Sequence, residues 1–390
     1  MKAAVSKIAI LSNQDRGFES HPLRHGKGKL SGPHMGTHIR KESFGMKLKT
    51  FIFITLMGSL SLMALAQAEN GKKSGTFSFY LENDLFAGTD RYYTSGVKLT
   101  WISPDLMGNQ KNSRLLKWIH SLSKKFPFIN KPGFHHAISI SIGHNIYTPE
   151  DIERSDLIME DRPYAGISYL GIGFNSQSNC RMSSLEFCLG IVGPHSYGER
   201  YQKILHKLIN ADYPRGWDNQ LKDELVLGIN YDQKWRLLRS GKERDFGYEL
   251  ITHMGGGLGN LYTGATAGIE VRIGKDLPND FGSFPIHPGG DSNAIFSKED
   301  SRLYCHSRPR IHAFAAVNVN AVVRDIFLDG NTFQDSHSVE KKSFTGDIVV
   351  GVALAVNRFK ISYAYVYRTK RFKTQRKPQV FGSINISFYY

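Results

Sequence analysis

Short segments in which apolar and polar residues alternate recur along most of the chain. Residues 76–82 read Thr-Phe-Ser-Phe-Tyr-Leu-Glu, and residues 136–142 and 360–367 alternate in the same manner. Successive side chains on a β-strand point to opposite faces, so a period of two is typical of strands with one apolar face. The pattern predicts an all-β protein, either a soluble sandwich with the apolar face inward or a membrane barrel with that face outward.

The carboxyl-terminal segment favours the membrane barrel. Residues 380–390 end on Tyr390, and counting back by twos meets aromatic or aliphatic residues and one glycine, with serine or asparagine between most of them. This resembles the last strand by which outer-membrane barrels are recognised for insertion. Strands of about 9–11 residues also match the tilted span of a bilayer. We predict a transmembrane antiparallel β-barrel of about twelve strands, centred near residues 79, 98, 140, 170, 188, 229, 249, 269, 315, 348, 364 and 385.

An even strand number places both chain ends at the inner, periplasmic side, and this fixes the side of every connection. The long inward connections are 104–134, in which residues 115–122 predict an amphipathic helix, and 275–307. Within the third outward connection, residues 199–210 predict a short helix with an apolar face. That face consists of Tyr201, Ile204, Leu205, Leu208 and Ile209. The outward connections fall near 84–93, 147–164, 193–223, 257–263, 321–342 and 369–378.

The amino-terminal region reads as a targeting segment. Residues 46–68 have a basic start, an apolar run over 50–66 and Ala-Gln-Ala at 66–68, which together are typical of a cleaved secretory signal peptide. A membrane anchor is the alternative, but the run is short and is followed by a cleavage motif. Residues 1–45 then form a non-native or disordered extension, and 69–390 form the barrel. We expect the protein in the bacterial outer membrane.

Charge and cysteine content change this picture little. The formal net charge is +15, which suits an anionic partner such as a phosphorylated lipid or a nucleic acid, and secretion favours lipid over nucleic acid. Cys180 and Cys188 flank a predicted turn and could pair in an oxidising periplasm, whereas Cys305 has no evident partner. None of the cysteines has zinc-site spacing.

Candidate chemistry begins where the first strand ends, at Glu82-Asn83-Asp84. Oxygen donors at a barrel rim can hold a hard cation such as calcium. The hairpin would bring Asn83 and Asp84 close to Thr94 on the next strand. Asn and Asp also favour strand ends for reasons of turn geometry alone, so a metal site and a simple turn both remain open.

Two further outward connections carry titratable groups. His206 follows on the predicted helix, and Asp212 lies six residues later, a pairing that can activate water, although an exposed helix histidine usually has no function. Arg162, which precedes Pro163 and strand four, could contact a phosphate or form a structural salt bridge.

Together these motifs resemble the lipid A 3′-O-deacylase (LpxR) family of outer membranes. The resemblance implies a twelve-stranded barrel, a calcium requirement, and removal of the 3′-linked acyloxyacyl group from lipid A or lipopolysaccharide in the outer leaflet. It covers essentially the whole of residues 69–390. The matching residues are 82–84, 90–96, 161–166, Gly193-Pro194, His206, 213–214 and 217–220.

Carried over by position, the resemblance assigns the site as follows. Asn83, Asp84 and Thr94 fall on the family's site in the first hairpin, and His206 falls on its catalytic histidine. Asp212 stands where the family can have Glu, with a shorter reach. Asp84 and Asp212 would be metal ligands, while His206 would take a proton from water, helped by Asn83, Thr94 and Asp212.

The basic residue that some members carry in the second outward loop has no secure match here, and Arg154 is only a candidate. We expect a monomer that binds no nucleic acid. The alternatives are a non-catalytic barrel that binds lipopolysaccharide or forms a small pore, and an outer-membrane phospholipase.

Overall fold

The computed structural model describes residues 75–89, 91–106, 133–241, 245–283, 285–286 and 309–390. The predicted extension and signal peptide at 1–68, the predicted helix at 115–122 and Cys305 lie outside these residues. Within the described part of the chain, no helix is long and apolar enough to cross a membrane.

Twelve antiparallel strands form one closed barrel, in which each strand pairs with the next and β12 closes onto β1. The predicted fold class is confirmed, and each predicted strand centre falls within an observed strand. Both ends of this even-stranded barrel's chain lie at one end, which we call the inner end. The strands are β1 Thr76–Asn83, β2 Tyr92–Ile102, β3 His135–Thr148, β4 Ala165–Gln177, β5 Arg181–Val192, β6 Glu224–Arg239, β7 Phe246–Gly259, β8 Tyr262–Lys275, β9 Arg310–Asp325, β10 Phe344–Val356, β11 Phe359–Arg368 and β12 Gln379–Tyr389.

The two faces of each strand differ in polarity, as the period of two predicts. Alternate residues of β10, namely Ile348, Val350 and Val352, are 49 to 53% exposed and form part of an apolar outer band. The residues between such positions face the lumen and are polar in several strands. Ser78 and Ser387 are examples, and their hydroxyls form a buried hydrogen bond of 3.0 Å. A polar interior inside an apolar band is the arrangement of a membrane-spanning barrel.

The outer connections carry the short helices. Helix α1, Gly198–Ile209, follows β5, as predicted, and α2, Ile326–Asp329, follows β9. Single turns of 3₁₀ helix lie at Asp84–Ala87, Pro194–Ser196 and Trp217–Asn219.

The suggested pairing of Cys180 with Cys188 is wrong. Both thiols are free; Cys180 is exposed in the turn between β4 and β5, while Cys188 lies inside β5 opposite Gly171. Residues that far apart along an extended strand are separated by about 25 Å, well beyond the reach of a disulfide.

Candidate functional site

Helix α1 and the 3₁₀ turn before it pack against the outside of the barrel wall at the outer end. His144 follows the exposed residues Ile140 and Ile142 on the same face of β3, so its side chain points outward. Its Nε2 lies 3.1 Å from the main-chain oxygen of Ser196. The Ser168 hydroxyl donates to the same oxygen at 2.9 Å. The helix is therefore fixed to the outer face of β3 and β4.

The two ends of α1 depend on local backbone geometry. Gly198 approaches Gly166 so closely that a Cβ on Gly198 would lie 2.9 Å from the Gly166 Cα, and only glycine permits this contact. Asn210 ends the helix in the left-handed conformation, with φ of 60°, and its N–H donates to the carbonyl of His206. Asparagine tolerates this conformation better than most residues do.

The buried face of α1 differs from the predicted apolar face. Ile204 and Leu208 are 51% and 62% exposed, while Gln202 and His206 are each 1% exposed. The residues of the predicted apolar face are thus divided between two sides of the helix, since Leu205 and Ile209 are buried whereas Ile204 and Leu208 are exposed. The helix consequently directs polar groups at the wall. The residues buried on this face are Gly198, Gln202, Leu205, His206 and Ile209.

His206 is held in one tautomer by the loop that follows the helix. Its Nδ1 lies 2.6 Å from the main-chain oxygen of Asp212. A carbonyl oxygen only accepts hydrogen bonds, so Nδ1 carries a proton, and in the neutral ring the lone pair lies on Nε2. His206 and Asp212 are thus in contact, but the contact is made by the main-chain carbonyl of Asp212, whose side chain is exposed.

The end of β1 supplies the next predicted residues. The Asn83 side-chain oxygen accepts from the Leu85 N–H at 2.8 Å and so caps the 3₁₀ turn. Asp84 is fully buried, and its Oδ2 accepts from the Arg91 N–H at 2.5 Å. Asn83 also pairs across the hairpin with Ser95. The turn chemistry considered from the sequence is therefore present alongside the candidate site.

A β-bulge places Thr94 beside this turn. The register between β2 and β3 shifts between Tyr93 and Ser95, leaving Thr94 as the extra residue, and the Thr94 hydroxyl lies 2.9 Å from that of Thr148. The hydroxyl of Tyr201 on α1 interacts with Ser95, and burial raises the Tyr201 pKa. Because both contacts lie on the outer face, the bulge turns Thr94 and Ser95 to the same side of the wall.

Asn83, Thr94 and α1 therefore meet on one patch outside the wall, and Asp84 follows directly after Asn83. His206 lies five residues beyond Tyr201, which is about 7.5 Å along the helix axis. Ser95 was not singled out from the sequence, since a bulge depends on pairing with a distant strand.

Gln202 is a second polar residue that the sequence analysis missed. It lies one helical turn before His206 on the same buried face. Its Oε1 accepts from Trp217 Nε1 at 2.8 Å, and among the described residues its Nε2 has no hydrogen-bond partner. The spacing of four from His206 was the available signal. The amide N–H groups of Gln202 are donors that the described part of the chain does not use.

The two arginines considered from the sequence have different surroundings. Arg162 is buried, with its guanidinium 4.6 Å from the Tyr147 ring centre and donating to the Phe327 carbonyl at 3.3 Å. Arg154 is exposed and paired with Asp156, whose hydrogen bond raises the Arg154 pKa. In this arrangement Arg162 braces the inside of the outer rim.

The candidate metal ligands form a sparse set. Among the residues that the structure describes, no group of three or more His, Cys, Asp or Glu could hold a metal ion. Asp84 and Asp212 supply hard oxygen donors, which suit calcium rather than zinc. A calcium shell of about six to eight oxygens would also need main-chain, hydroxyl, water or substrate oxygens.

A cavity of about 250 Å³ lies inside the barrel, on the other side of the wall from this patch. It is lined by charges of both signs, such as Lys98 and Glu186, whose Nζ and Oε1 atoms are 3.7 Å apart. Glu82 and Tyr93 line it, but their neighbours Asn83 and Thr94 do not. The candidate chemistry is therefore on the outer surface of the barrel, separate from the lumen.

Comparisons with known proteins agree with this architecture. LpxR from Salmonella typhimurium is similar in structure, with a TM-score of 0.60 and 18% identity over 81% of this chain and 100% of that chain; at this identity the likeness shows the fold alone. The β domain of the Bordetella autotransporter BrkA gives a TM-score of 0.39 and 9% identity over 82% and 99%, which is too low to carry an argument. A search of curated protein sequences finds no match.

The model of the family described as outer membrane protein LpxR matches residues 52–390. Because that match spans most of the sequence, the chain belongs to the LpxR family and is an outer-membrane β-barrel.

Proposed function

We propose that the protein is a lipid A deacylase that hydrolyses the 3′-linked acyloxyacyl ester in the outer leaflet. The observation that carries the proposal is the geometry of His206, a buried imidazole on the wall-facing side of α1 with Nδ1 bound to a carbonyl. The position of the site, outside the wall at the outer end, is where a lipid of the outer leaflet would reach it. Family membership supports the substrate class.

In the proposed reaction, His206 Nε2 takes a proton from a water molecule, and the resulting hydroxide attacks the ester carbonyl. The tetrahedral intermediate collapses with cleavage of the ester C–O bond, and the protonated imidazole gives its proton to the leaving sugar oxygen, which becomes a hydroxyl. The hydrogen bond from Nδ1 to the Asp212 carbonyl keeps the basic nitrogen directed at the site and stabilises the ring when it is charged.

Two side-chain amides are suited to stabilise the oxyanion. The side-chain oxygen of Asn83 accepts from the Leu85 N–H, and that of Gln202 accepts from Trp217 Nε1. Each side chain therefore retains its amide nitrogen as a donor. Donors fixed in place before the reaction stabilise developing charge without reorganisation. The hydroxyl of Thr94, directed outward by the bulge, is placed to position water or substrate.

Calcium is the proposed cofactor, held by Asp84 and Asp212 together with main-chain and hydroxyl oxygens. When bound, it would polarise the ester carbonyl and add to the stabilisation of the oxyanion.

The test is a hydrolysis assay with purified full-length protein in detergent. Lipid A is incubated with protein and calcium, and the products are analysed by mass spectrometry. We expect loss of one acyloxyacyl unit, abolished by a chelator and restored by added calcium. Unchanged lipid A in the presence of calcium would contradict the proposal. A parallel incubation with phospholipid distinguishes a phospholipase, which would release fatty acid from that lipid instead.

A further inference from the structure

Glu82 lies immediately before Asn83 but faces the lumen, on the opposite side of the wall from the candidate site. It is 1% exposed. Its Oε2 accepts from the Tyr93 hydroxyl at 2.8 Å. Its Oε1 accepts from the Ser383 hydroxyl at 2.9 Å and from the Ile286 main-chain N–H at 2.6 Å. One buried carboxylate thus joins β1, β2 and β12 to the connection that follows β8.

The described residues of that connection, 276–283 and 285–286, lie in the lumen, and we call them the plug. Although it leaves β8 at the inner end, its Ile286 reaches Glu82, next to the outer end of β1. Buried contacts hold the part of the plug around residues 280 and 281. Asp280 is fully buried and accepts from Lys360 Nζ at 2.6 Å, and the guanidinium of Arg236 lies 4.4 Å from the ring centre of Phe281.

The positions next to Glu82 and its partner form the candidate site. Asn83 follows Glu82, and Thr94 follows Tyr93, so the hydrogen bond between Glu82 and Tyr93 lies directly behind both residues. The bulge has one strand residue without a cross-strand partner and is preceded by Tyr92 in a left-handed conformation, with φ of 69°. Such a backbone persists only where its surroundings hold it.

We propose that Glu82 is a positioning residue for the candidate site, and that it acts by tying the plug at Ile286 to the strands behind the bulge. The inference rests on the proposed function for its catalytic consequence only. Glu82 cannot touch a substrate outside the wall, so its effect passes through Tyr93 and the backbone of β1. Hydrogen-bond geometry, rather than negative charge, is the property that the position requires.

Three variants separate these roles. Glu82→Ala removes all three acceptor contacts. Glu82→Gln keeps an oxygen for Ser383 and Ile286, and its amide can donate to the Tyr93 oxygen. Tyr93→Phe removes one hydrogen bond but keeps the ring packed on Tyr147 and Phe381, at centroid distances of 5.3 and 5.1 Å, and so guards against misfolding of the alanine variant.

Glu186→Gln is the matched control. Glu186 is also a buried lumen carboxylate and accepts from the Ser141 hydroxyl at 3.1 Å. It lies on β5, and its ion pair of 3.7 Å with Lys98 reaches β2 on the inner side of Tyr93, outside the two peptides that are measured.

Amide hydrogen exchange of the whole protein, read by mass spectrometry, measures the coupling without reference to activity. In Glu82→Ala and Tyr93→Phe, we expect the peptides over residues 84–91 and 276–286 to exchange faster together. The increase should be about tenfold in Tyr93→Phe, which loses one buried hydrogen bond, and larger in Glu82→Ala, which loses three. In Glu82→Gln and Glu186→Gln both peptides should exchange as in the wild type. Faster exchange in the plug alone, or in neither peptide, would overturn the inference.

The catalytic consequence is read in the lipid A assay. We expect kcat to fall by about tenfold in Tyr93→Phe with KM unchanged, because positioning rather than substrate binding is lost. In Glu82→Gln, which keeps the hydrogen bonds, kcat should match the wild type. Equal kcat values in Tyr93→Phe and Glu186→Gln would contradict the inference. A wild type without hydrolysis would refute the proposed function, and the exchange result would still decide the coupling.

Discussion

Two buried polar clusters, one at each end of the barrel, differ in how fully their hydrogen-bonding groups are paired. At the inner end, Arg272 is fully buried and donates to both Glu249 and Asp280, and Asp280 also accepts a hydrogen bond from Lys360 Nζ. At the outer end, Gln202 leaves amide hydrogens without a partner in the described part of the chain.

The backbone is irregular at both ends. Around Arg272, β7 and β8 pair in unbroken register, while β6 has a bulge between Arg236 and Leu238, beside Glu249. The outer end contains the bulge at Thr94 and left-handed residues at Tyr92 and Asn210. Saturated ion pairs fix a structure, whereas unused donors beside irregular backbone are typical of sites that act on another molecule. The comparison assigns stability to the inner end and chemistry to the outer end.

The largest expected effect is that of His206→Ala, which tests the outer half of this comparison. Removing the general base should lower the rate of acyl release by about 10³-fold. The rate is measured by mass spectrometry of lipid A at saturating calcium. Denaturant unfolding should remain close to that of the wild type, because α1 contributes no strand to the barrel. A variant that keeps most of the rate would contradict the assignment of His206.

Glu249→Gln tests the inner half and should produce the reverse result. Removing the charge that Arg272, Arg236 and Arg239 share should lower the unfolding free energy by about 3 kcal/mol, as for a broken buried ion pair. The measurement is denaturant unfolding followed by tryptophan fluorescence. Acyl release, assayed where both proteins are folded, should match the wild type. A strong loss of rate in the folded variant would show that the two ends are not separable.

Gln202→Leu refines the comparison within the outer end. The loss of one preorganised donor should lower kcat by about 10²-fold. Trp217→Phe is the companion variant, since it keeps Gln202 but removes the hydrogen bond that orients its amide. Its kcat should fall by about tenfold, the effect of one hydrogen bond. If both variants behave as the wild type, the unused donor has no role in the reaction.

The strands were predictable from the sequence because one face of each must be apolar, which places an apolar residue at every second position. The alternation of apolar and small polar residues in β12 predicted a membrane barrel for the same reason. The hairpin of Asn83 and Thr94 was also predictable, because the two residues are close along the chain.

The rest depends on relations that no local pattern contains. The bulge at Thr94 arises from pairing with β3, and the burial of Gln202 and His206 on α1 depends on packing against the barrel wall. The unusual length of the inward connection after β8 was visible, but its path through the lumen to Glu82 was not. The contact of Asp212 with His206 uses a main-chain atom, which any residue possesses.

Asp212→Asn should give the smallest effect, and it separates the two roles proposed for this residue. The carbonyl that holds His206 is retained, so kcat at saturating calcium should stay within about twofold of the wild type. The exposed carboxylate is the weaker of the two proposed calcium ligands, and its loss should raise the calcium concentration for half-maximal rate by about tenfold. The measurement is a calcium titration of the lipid A assay, with Asp218→Asn, an exposed aspartate nearby, as the control. An unchanged titration would remove Asp212 from the metal site and leave its main chain as its whole contribution, whereas a collapse of kcat at saturating calcium would mean that the side chain itself takes part in the chemistry.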